Sequence, residues 1–431
     1  MASIVKARSN SPTALLALLT AVVFINYTDR YVLGILIEPI RLELGLGDTQ
    51  IGLLTGAGFA LLYSAMAVPI ARAAERWNRL IIVFAAICIW SLGTLLGGLA
   101  TGFATLLLAR LVVGFGEAGG IPPSMSMISD VFPARRRATA MAIFGMGGSA
   151  GAALAPMLGG WLEARYGWRL ALVFVGLLGV PVAVSLLLLR EPKRGAADGV
   201  RAEITPLPFT VALKRLFSRP AFVWLMPAMI AMSLAEYSLL LWGPALFHRT
   251  FLLDPAELGR RMTVFQGLPF FAGTFVGGFL ADALAKRDAR WIIWLPMIAA
   301  MLVIPGVVSM LVVRDLTLSL ILLTLPSFVS GLYIGPCYAL IQNLAAPHSR
   351  ATASAVLALV VNLIGAGLGP LMLGGLSDLL ASRFGVDSLR WAFLILVPLY
   401  LAAAASFGAI GRHLIRDIAD VANETRASAE A

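Results

Sequence analysis

Two interruptions of apolar sequence carry residues able to do chemistry. One is Arg110-Leu-Val-Val-Gly-Phe-Gly-Glu117, inside an apolar run that begins near Phe103. Arg110, Gly114 and Glu117 stand at i, i+4 and i+7, so a helix places them on one face. The other is Asn26-Tyr-Thr-Asp29-Arg30, which breaks the first apolar run in the same way. Charges inside hydrocarbon are expensive, and they face a bundle interior or a wet cavity. Asp29 and Glu117 are groups that can take up and release a proton. Arg30 and Arg110 can fix the charge state of those acids or hold an anionic group. A structural ion pair joining the first and fourth helices is the plainer alternative. Asp29 lies roughly 24 Å along a helix starting near Thr13, and Arg110 roughly 10 Å down a helix descending from the opposite side. In a core ~30 Å thick these depths agree, and two cross-pairings between the helices stay open. In the second half, Glu236 is either a cavity ligand or paired near a helix end. Asn362 is the best polar cavity candidate there, with interhelical hydrogen bonding as its alternative.

These residues need membrane helices to position them. Hydrophobic residues make up 59% of the 431 and charged ones 13%, with a mean hydropathy of +0.89, which excludes a soluble globular protein. Twelve apolar runs can be marked, near 14–37, 51–72, 79–100, 103–128, 138–162, 168–189, 221–247, 262–284, 291–313, 317–343, 351–378 and 389–411. Each has about the 20 residues that a spanning helix requires. The first run is too long for a cleaved signal and reads as a retained span. A polar, basic stretch from Arg190 to Arg219 divides the runs six and six, so the expected organisation is residues 1–189, a central loop 190–220 and residues 221–431. Within that loop, Pro206 to Phe217 fits either a short amphipathic surface helix or a plain linker.

The net charge of +10 is a topology signal, not a sign of nucleic acid. Lys and Arg number 22 on the side of the N-terminus and 9 on the other, with Arg30 and Arg110 inside spans. Both termini and the central loop are therefore expected in the cytoplasm. Cys88 and Cys337 lie far apart inside apolar runs and read as packing residues. The three histidines have no metal-ligand spacing, and no cofactor or metal is expected. No HExxH, GxSxG or paired-carboxylate metal pattern occurs, so a lipid enzyme is a remote alternative.

The halves echo each other. Arg137-Ala-Thr-Ala140 returns as Arg350-Ala-Thr-Ala353, Pro156-Met-Leu-Gly159-Gly160 as Pro370-Leu-Met-Leu-Gly374-Gly375, and Glu75-Arg76 as Asp282, with Arg79 and Arg290 following. The offsets are 207 to 215 residues. A parallel duplication of a six-helix unit places a substrate site between the halves near the midplane.

On these residues the chain resembles the major facilitator superfamily. Arg110-x-x-x-Gly114-x-Gly116-x-Ala118 is similar to that superfamily's fourth-helix motif. Pro69-Ile-Ala-Arg-Ala-Ala-Glu75-Arg76-Trp-Asn-Arg79 is similar to its signature between helices two and three, with Ala71 and Glu75 departing from the usual glycine and aspartate. Gly278-Phe-Leu-Ala-Asp282 is nearer to pattern. Gly151-x-x-x-Ala155-Pro156-x-x-Gly159-Gly160 partly matches the antiporter motif. Within the superfamily the chain resembles the spinster family, notably its bacterial branch, through Asn26-Tyr-Thr-Asp29-Arg30, Gly116-Glu117-Ala-Gly-Gly-Ile-Pro-Pro123, Ser129-Asp-Val-Phe-Pro133 and Asn362-Leu-Ile-Gly-Ala-Gly-Leu-Gly-Pro370.

The resemblance implies an all-α membrane protein. Its twelve transmembrane helices form two six-helix bundles related by a pseudo-twofold axis. It also implies a proton-coupled secondary transporter working by alternating access on lysophospholipids, sphingosine phosphates or related amphipaths. Glu75, Arg76, Asp130, Arg136 and Asp282 would then belong to charge networks latching the cytoplasmic side; ordinary solvated loop charges are the alternative. A proton-coupled exporter of drugs or small organic anions is the second reading. The expected partners are the substrate, protons and membrane lipids, the expected location a bacterial inner membrane, and the default state a monomer.

Overall fold

Helix boundaries follow from local chemistry. The computed structural model describes residues 11–194, 209–346 and 349–430. Helix α1 (Pro12–Leu44) begins on a proline, whose missing N–H is no loss in a first turn, and ends at Gly45 with φ +62°, a left-handed cap natural to glycine. Helix α2 (Asp48–Arg76) contains a π-helical turn at Leu53–Ala57. Asn78 caps α3 (Arg79–Gly98), its side chain accepting from the Ile81 N–H at 3.1 Å. Next come α4 (Phe103–Glu117) and α5 (Ile121–Val131). The apolar run 103–128 predicts one helix, and the structure separates it into these two by a turn at residues 118–120. Pro122 and Pro123 have no N–H to return to the carbonyls of Ala118 and Gly119, so the run breaks there. Helix α6 (Ala134–Leu186) is long enough for two crossings and is divided at Gly167, whose φ of +76° is non-helical.

After the central loop come α7 (Phe209–Phe217), α8 (Pro220–Phe251), α9 (Pro255–Ala285), α10 (Trp291–Val312), α11 (Leu316–Leu332) and α12 (Ile334–Asn343). Helix α9 has its own π-helical turn, Thr263–Gly267. The single expected run 317–343 breaks at Tyr333, because Pro336 cannot donate to the Leu332 carbonyl. Helix α13 (Arg350–Leu359) passes through a π-helical stretch, Val360–Leu368, into α14 (Gly369–Phe384); α15 (Ser388–Gly411) and α16 (Leu414–Glu430) complete the chain.

Among the described residues no strand occurs, and ten helical stretches are long and apolar enough to span a membrane. Two of the ten, running to 52 and 60 residues, hold two crossings each, which gives twelve. The chain is an all-helical, multi-pass membrane protein. Large apolar side chains such as Leu188, Phe279 and Leu379 are exposed on its outside, as a lipid-facing surface requires. In the central loop, 195–208 lie outside the described residues, and the amphipathic piece is helical over Phe209–Phe217 with Ala212 and Leu216 buried.

By contacts the chain forms two compact units. The first holds residues up to Ala202 together with Leu252–Thr263; the second holds Glu203–Phe251 and everything from Val264. The first unit's core joins Leu15 and Leu19 of α1, Val83 and Trp90 of α3, and Phe144 of α6. Its segment Leu252–Thr263 meets α6 so closely that a Cβ at Gly160 would strike the Pro255 carbonyl. In the second unit, Asp417 of α16 accepts from the Ala221 N–H at 2.8 Å, and Arg219 donates to the Leu344 carbonyl at 2.6 Å and pairs with Glu424. These bonds fasten the last helix to the start of α8.

Candidate functional site

The charged residues of the first unit meet because three helices present them to one another. On α1, Asn26 stands one turn from both Asp29 (i+3) and Arg30 (i+4), while those two adjacent residues diverge from each other. On α4, Gly114 brings the helix against α2, where a Cβ would clash with the Phe59 backbone carbonyl. That approach brings the Phe59 ring within reach of two guanidiniums, 4.4 Å from Arg30 and 5.5 Å from Arg110. Arg30 is also 5.3 Å from the Tyr27 ring and 5.1 Å from the Tyr63 ring. A guanidinium over aromatic faces is attracted by the ring quadrupole and is lightly hydrated, so burial there is tolerated.

Asp29, Arg30, Arg110 and Glu117 are all buried, at 5% exposure or less. Arg30 donates twice to one oxygen of Glu117, through Nη2 at 2.6 Å and Nε at 3.2 Å. Its neighbour Asp29 points a hundred degrees further round the helix and accepts the Thr94 hydroxyl of α3 at 2.6 Å. Of the two cross-pairings left open by the sequence, the direct ion pair is Arg30–Glu117. Arg110 lies close enough to both carboxylates to feel them, but its Nε has no hydrogen-bond partner among the described residues. Neither have Oδ1 of Asp29 and Oε1 of Glu117. Asn26 stands beside Glu117 without meeting it in hydrogen-bond geometry. Leu33 and Ile37 of α1, Leu54 and Thr55 of α2, and Leu106 and Arg110 of α4 line a partly open, apolar-surfaced cleft of about 10 Å³, the space of about one water.

Two acids and two bases with several unsatisfied atoms make a site that can change its hydrogen bonding cheaply. Glu117 closes α4, where the helix dipole gives a carboxylate no support, so Arg30 is its chief counter-charge. A proton on Glu117 would loosen that pair and leave Arg30 able to hold an anion. Phe59, Tyr63 and Thr94 belong to the site, yet nothing in their local sequence distinguishes them from packing residues.

The second unit is built differently. Glu236 is buried in α8 and accepts the hydroxyl of Tyr333. Asn362 is half-buried in the π-helical stretch and donates to the Ala358 carbonyl of its own helix at 2.9 Å. The chain does not bring Asn362 and Glu236 into contact through these bonds.

At the other end of the first unit, Arg79 is the buried charge, 2% exposed at the start of α3. It pairs with Asp130, bonds Glu191 at 2.7 Å, and donates to Ser126 and the Pro192 carbonyl, both at 2.9 Å. The Glu191 carboxylate also accepts the Arg79 backbone N–H at 3.1 Å. Of the five residues expected in cytoplasmic charge networks, Asp130 is in this one, whereas Glu75, Arg76, Arg136 and Asp282 are exposed. Arg194 caps the end of α2 through the carbonyls of Ala74, Glu75 and Trp77. Arg79 and Glu191 could be found from sequence only as a charge at the edge of an apolar run, which most loop arginines also are.

Comparison with known proteins gives concordant matches. Residues 19–370 match the model of the Major Facilitator Superfamily. A protein of Mycolicibacterium smegmatis described as an MFS-type efflux pump is 32% identical over 415 residues, covering 95% of each chain. Protein spinster homolog 3 of Danio rerio is 24% identical over 405 residues, 88% of this chain and 79% of that one. Among solved structures, a bacterial homologue of the human lysosomal transporter spinster, inward-facing and unoccupied, superposes with a TM-score of 0.84 at 30% identity, covering 94% of this chain and 98% of that chain.

Proposed function

Since the chain belongs to the Major Facilitator Superfamily, we propose that it is a proton-coupled secondary transporter of amphipathic anions such as lysophospholipids or sphingosine-phosphate-like lipids. The observation carrying this reading is the buried Arg30–Glu117 pair beside Asp29 and Arg110. With both acids ionised the four charges cancel, so the cluster tolerates burial. One added proton makes it net positive and favours an anionic headgroup; losing the proton favours release. Proton and substrate are then linked through unequal binding to the two access states.

The similarity to spinster homologues supports the lipid class, and the similarity to an efflux pump over 95% of the chain supports a second reading, export of drug-like organic anions. The two share the coupling site and differ in cargo. Both place the protein in a bacterial inner membrane with its termini in the cytoplasm.

The test is substrate movement in sealed proteoliposomes, with and without an imposed pH gradient, using lysophosphatidylglycerol and a fluorescent organic anion as alternative cargoes. Glu117→Gln imitates the protonated acid. It is expected to keep binding, read as a ligand-induced rise in melting temperature, and to lose gradient-driven accumulation. A Glu117→Gln protein that answers the gradient as the parent does would show that Glu117 is not the coupling group.

A further inference from the structure

The second unit repeats the plan of the site with different residues. Asp29 is the eighteenth residue of α1 and Glu236 the seventeenth of α8, an offset of 207 that falls within the range set by the other repeated motifs. The partner element is repeated too. In the first unit the fourth span breaks after Glu117, before Pro122, and presents that acid to α1. In the second, the corresponding span breaks at Tyr333, before Pro336, and presents the phenol to Glu236 of α8. The same two elements thus build a carboxylate site in each unit.

The difference lies in the counter-charge. Glu236 is 7% exposed, Tyr333 3%. The titratable groups facing Glu236 are Tyr333 from the α11–α12 break and Tyr400 from α15, with Tyr237 next to it on its own helix and Cys337 beyond Tyr333. The π-helical stretch that also packs on α8 contributes Asn362, which is turned to its own helix. No Lys, Arg or His pairs with Glu236 among the described residues. An isolated carboxylate is not stable in such surroundings, and a neutral acid bonded to a phenol is.

We propose that Glu236 and Tyr333 form a second proton-exchange centre, the counterpart in the second unit of the Asp29–Glu117 cluster. The acid accepts the Tyr333 hydroxyl at Oε2 and carries its own proton on the carboxyl group. During the transport cycle that proton leaves to water when α8 or the α11–α12 break moves, and returns when the bond to Tyr333 re-forms. No other bond is made or broken. A cycle with two centres moves more than one proton per turnover, and the two can be silenced separately. This inference extends the proton-coupled reading, but its test does not share that reading's point of failure.

The experiment is infrared difference spectroscopy of the full-length protein in liposomes, stepped between acid and alkaline pH, following protonated carboxyl bands. The parent, Glu236→Gln, Tyr333→Phe and Glu117→Gln are compared, with melting temperatures to confirm folding. The expected result is a pH-responsive carboxyl band that Glu236→Gln removes and Glu117→Gln keeps. Tyr333→Phe should retain that band at higher frequency, because the carbonyl has lost its donor. Identical spectra for the parent and Glu236→Gln overturn the proposal, as does a Glu236 band that stays constant across pH, which marks a permanently neutral structural acid. Loss of the band in Tyr333→Phe with normal folding would also overturn the two-residue centre. Failure of the coupling reading is a different observation, a parent whose transport ignores the pH gradient, and it leaves these bands untouched.

Discussion

Arg30 and Glu117 are each other's main compensation inside a buried site, and that makes the consequences of breaking them unequal. Glu117→Ala takes from a buried arginine the carboxylate it bonds twice, whereas replacing both residues removes the problem. Removing one partner of such a pair costs about 3–5 kcal/mol, and replacing both by apolar groups is often neutral. Arg30→Met or Glu117→Met alone should therefore lower the melting temperature markedly, and the double variant should recover most of the loss while remaining inactive. A double variant no more stable than either single one would show that the pair is not the reason for the loss. Phe59→Leu is a milder test of the same site. It withdraws the ring shared by two guanidiniums, worth roughly 0.5–2 kcal/mol per contact, and should weaken transport several-fold with little change in expression. Much of this cluster was legible in sequence, because a charge in an apolar run has few places to go. Which acid takes which base was not. Asp29 and Arg30 are adjacent, so a helix sends them toward different neighbours, and only the packing of α3 and α4 decides that Thr94 receives one and Glu117 the other.

At the scale of elements, the positioning of the site depends on where helices fail to be regular. The break between α4 and α5 puts Glu117 at a helix end, and the π-helical turns at Leu53–Ala57 and Thr263–Gly267 sit one repeat apart. Twelve spans could be marked from hydropathy, and the prolines that break two of them were visible. The π-helical turns were not, since a register slip of one residue leaves no trace in an apolar pattern. Close approach of helices is a second requirement. A Cβ at Gly114 would meet the Phe59 backbone carbonyl, which cannot swing aside as a side chain can. Gly114→Val should force α4 away from α2 at about 1–3 kcal/mol, lowering both melting temperature and transport, while Gly145→Val, where a Cβ meets nothing within 4 Å, serves as the control. Equal effects at the two glycines would remove the argument. The Arg79 clamp joins α3 to α5 and to the chain after α6. Because a lysine cannot serve four acceptors in fixed directions, Arg79→Lys should destabilise nearly as much as Arg79→Met, and folded yield is the readout.

For the molecule as a whole, the strongest sequence signal was the bias of basic residues, and its consequence is accessibility. In a variant freed of Cys88 and Cys337, cysteines placed at 195–208 should react with an impermeant thiol reagent only from the cytoplasmic face. Labelling from outside intact cells would reverse the orientation. Both replaced cysteines are free thiols, one exposed and one buried, so only Cys337 needs a close substitute for volume. Hydropathy, the basic stretch Arg190–Arg219 and the repeated motifs divide the spans six and six, and no such pattern could show that Leu252–Thr263 would group with the first unit. Membership in a unit depends on which surfaces meet, here the seam of Gly160 against Pro255 and Gly259. That seam sets an order of events during synthesis. A ribosome that has finished Ala202 has not yet made everything the first unit contains, and must add some sixty more residues, roughly 3–12 s at ordinary speeds. The first unit therefore waits, one piece short, while α8 is inserted ahead of its completion.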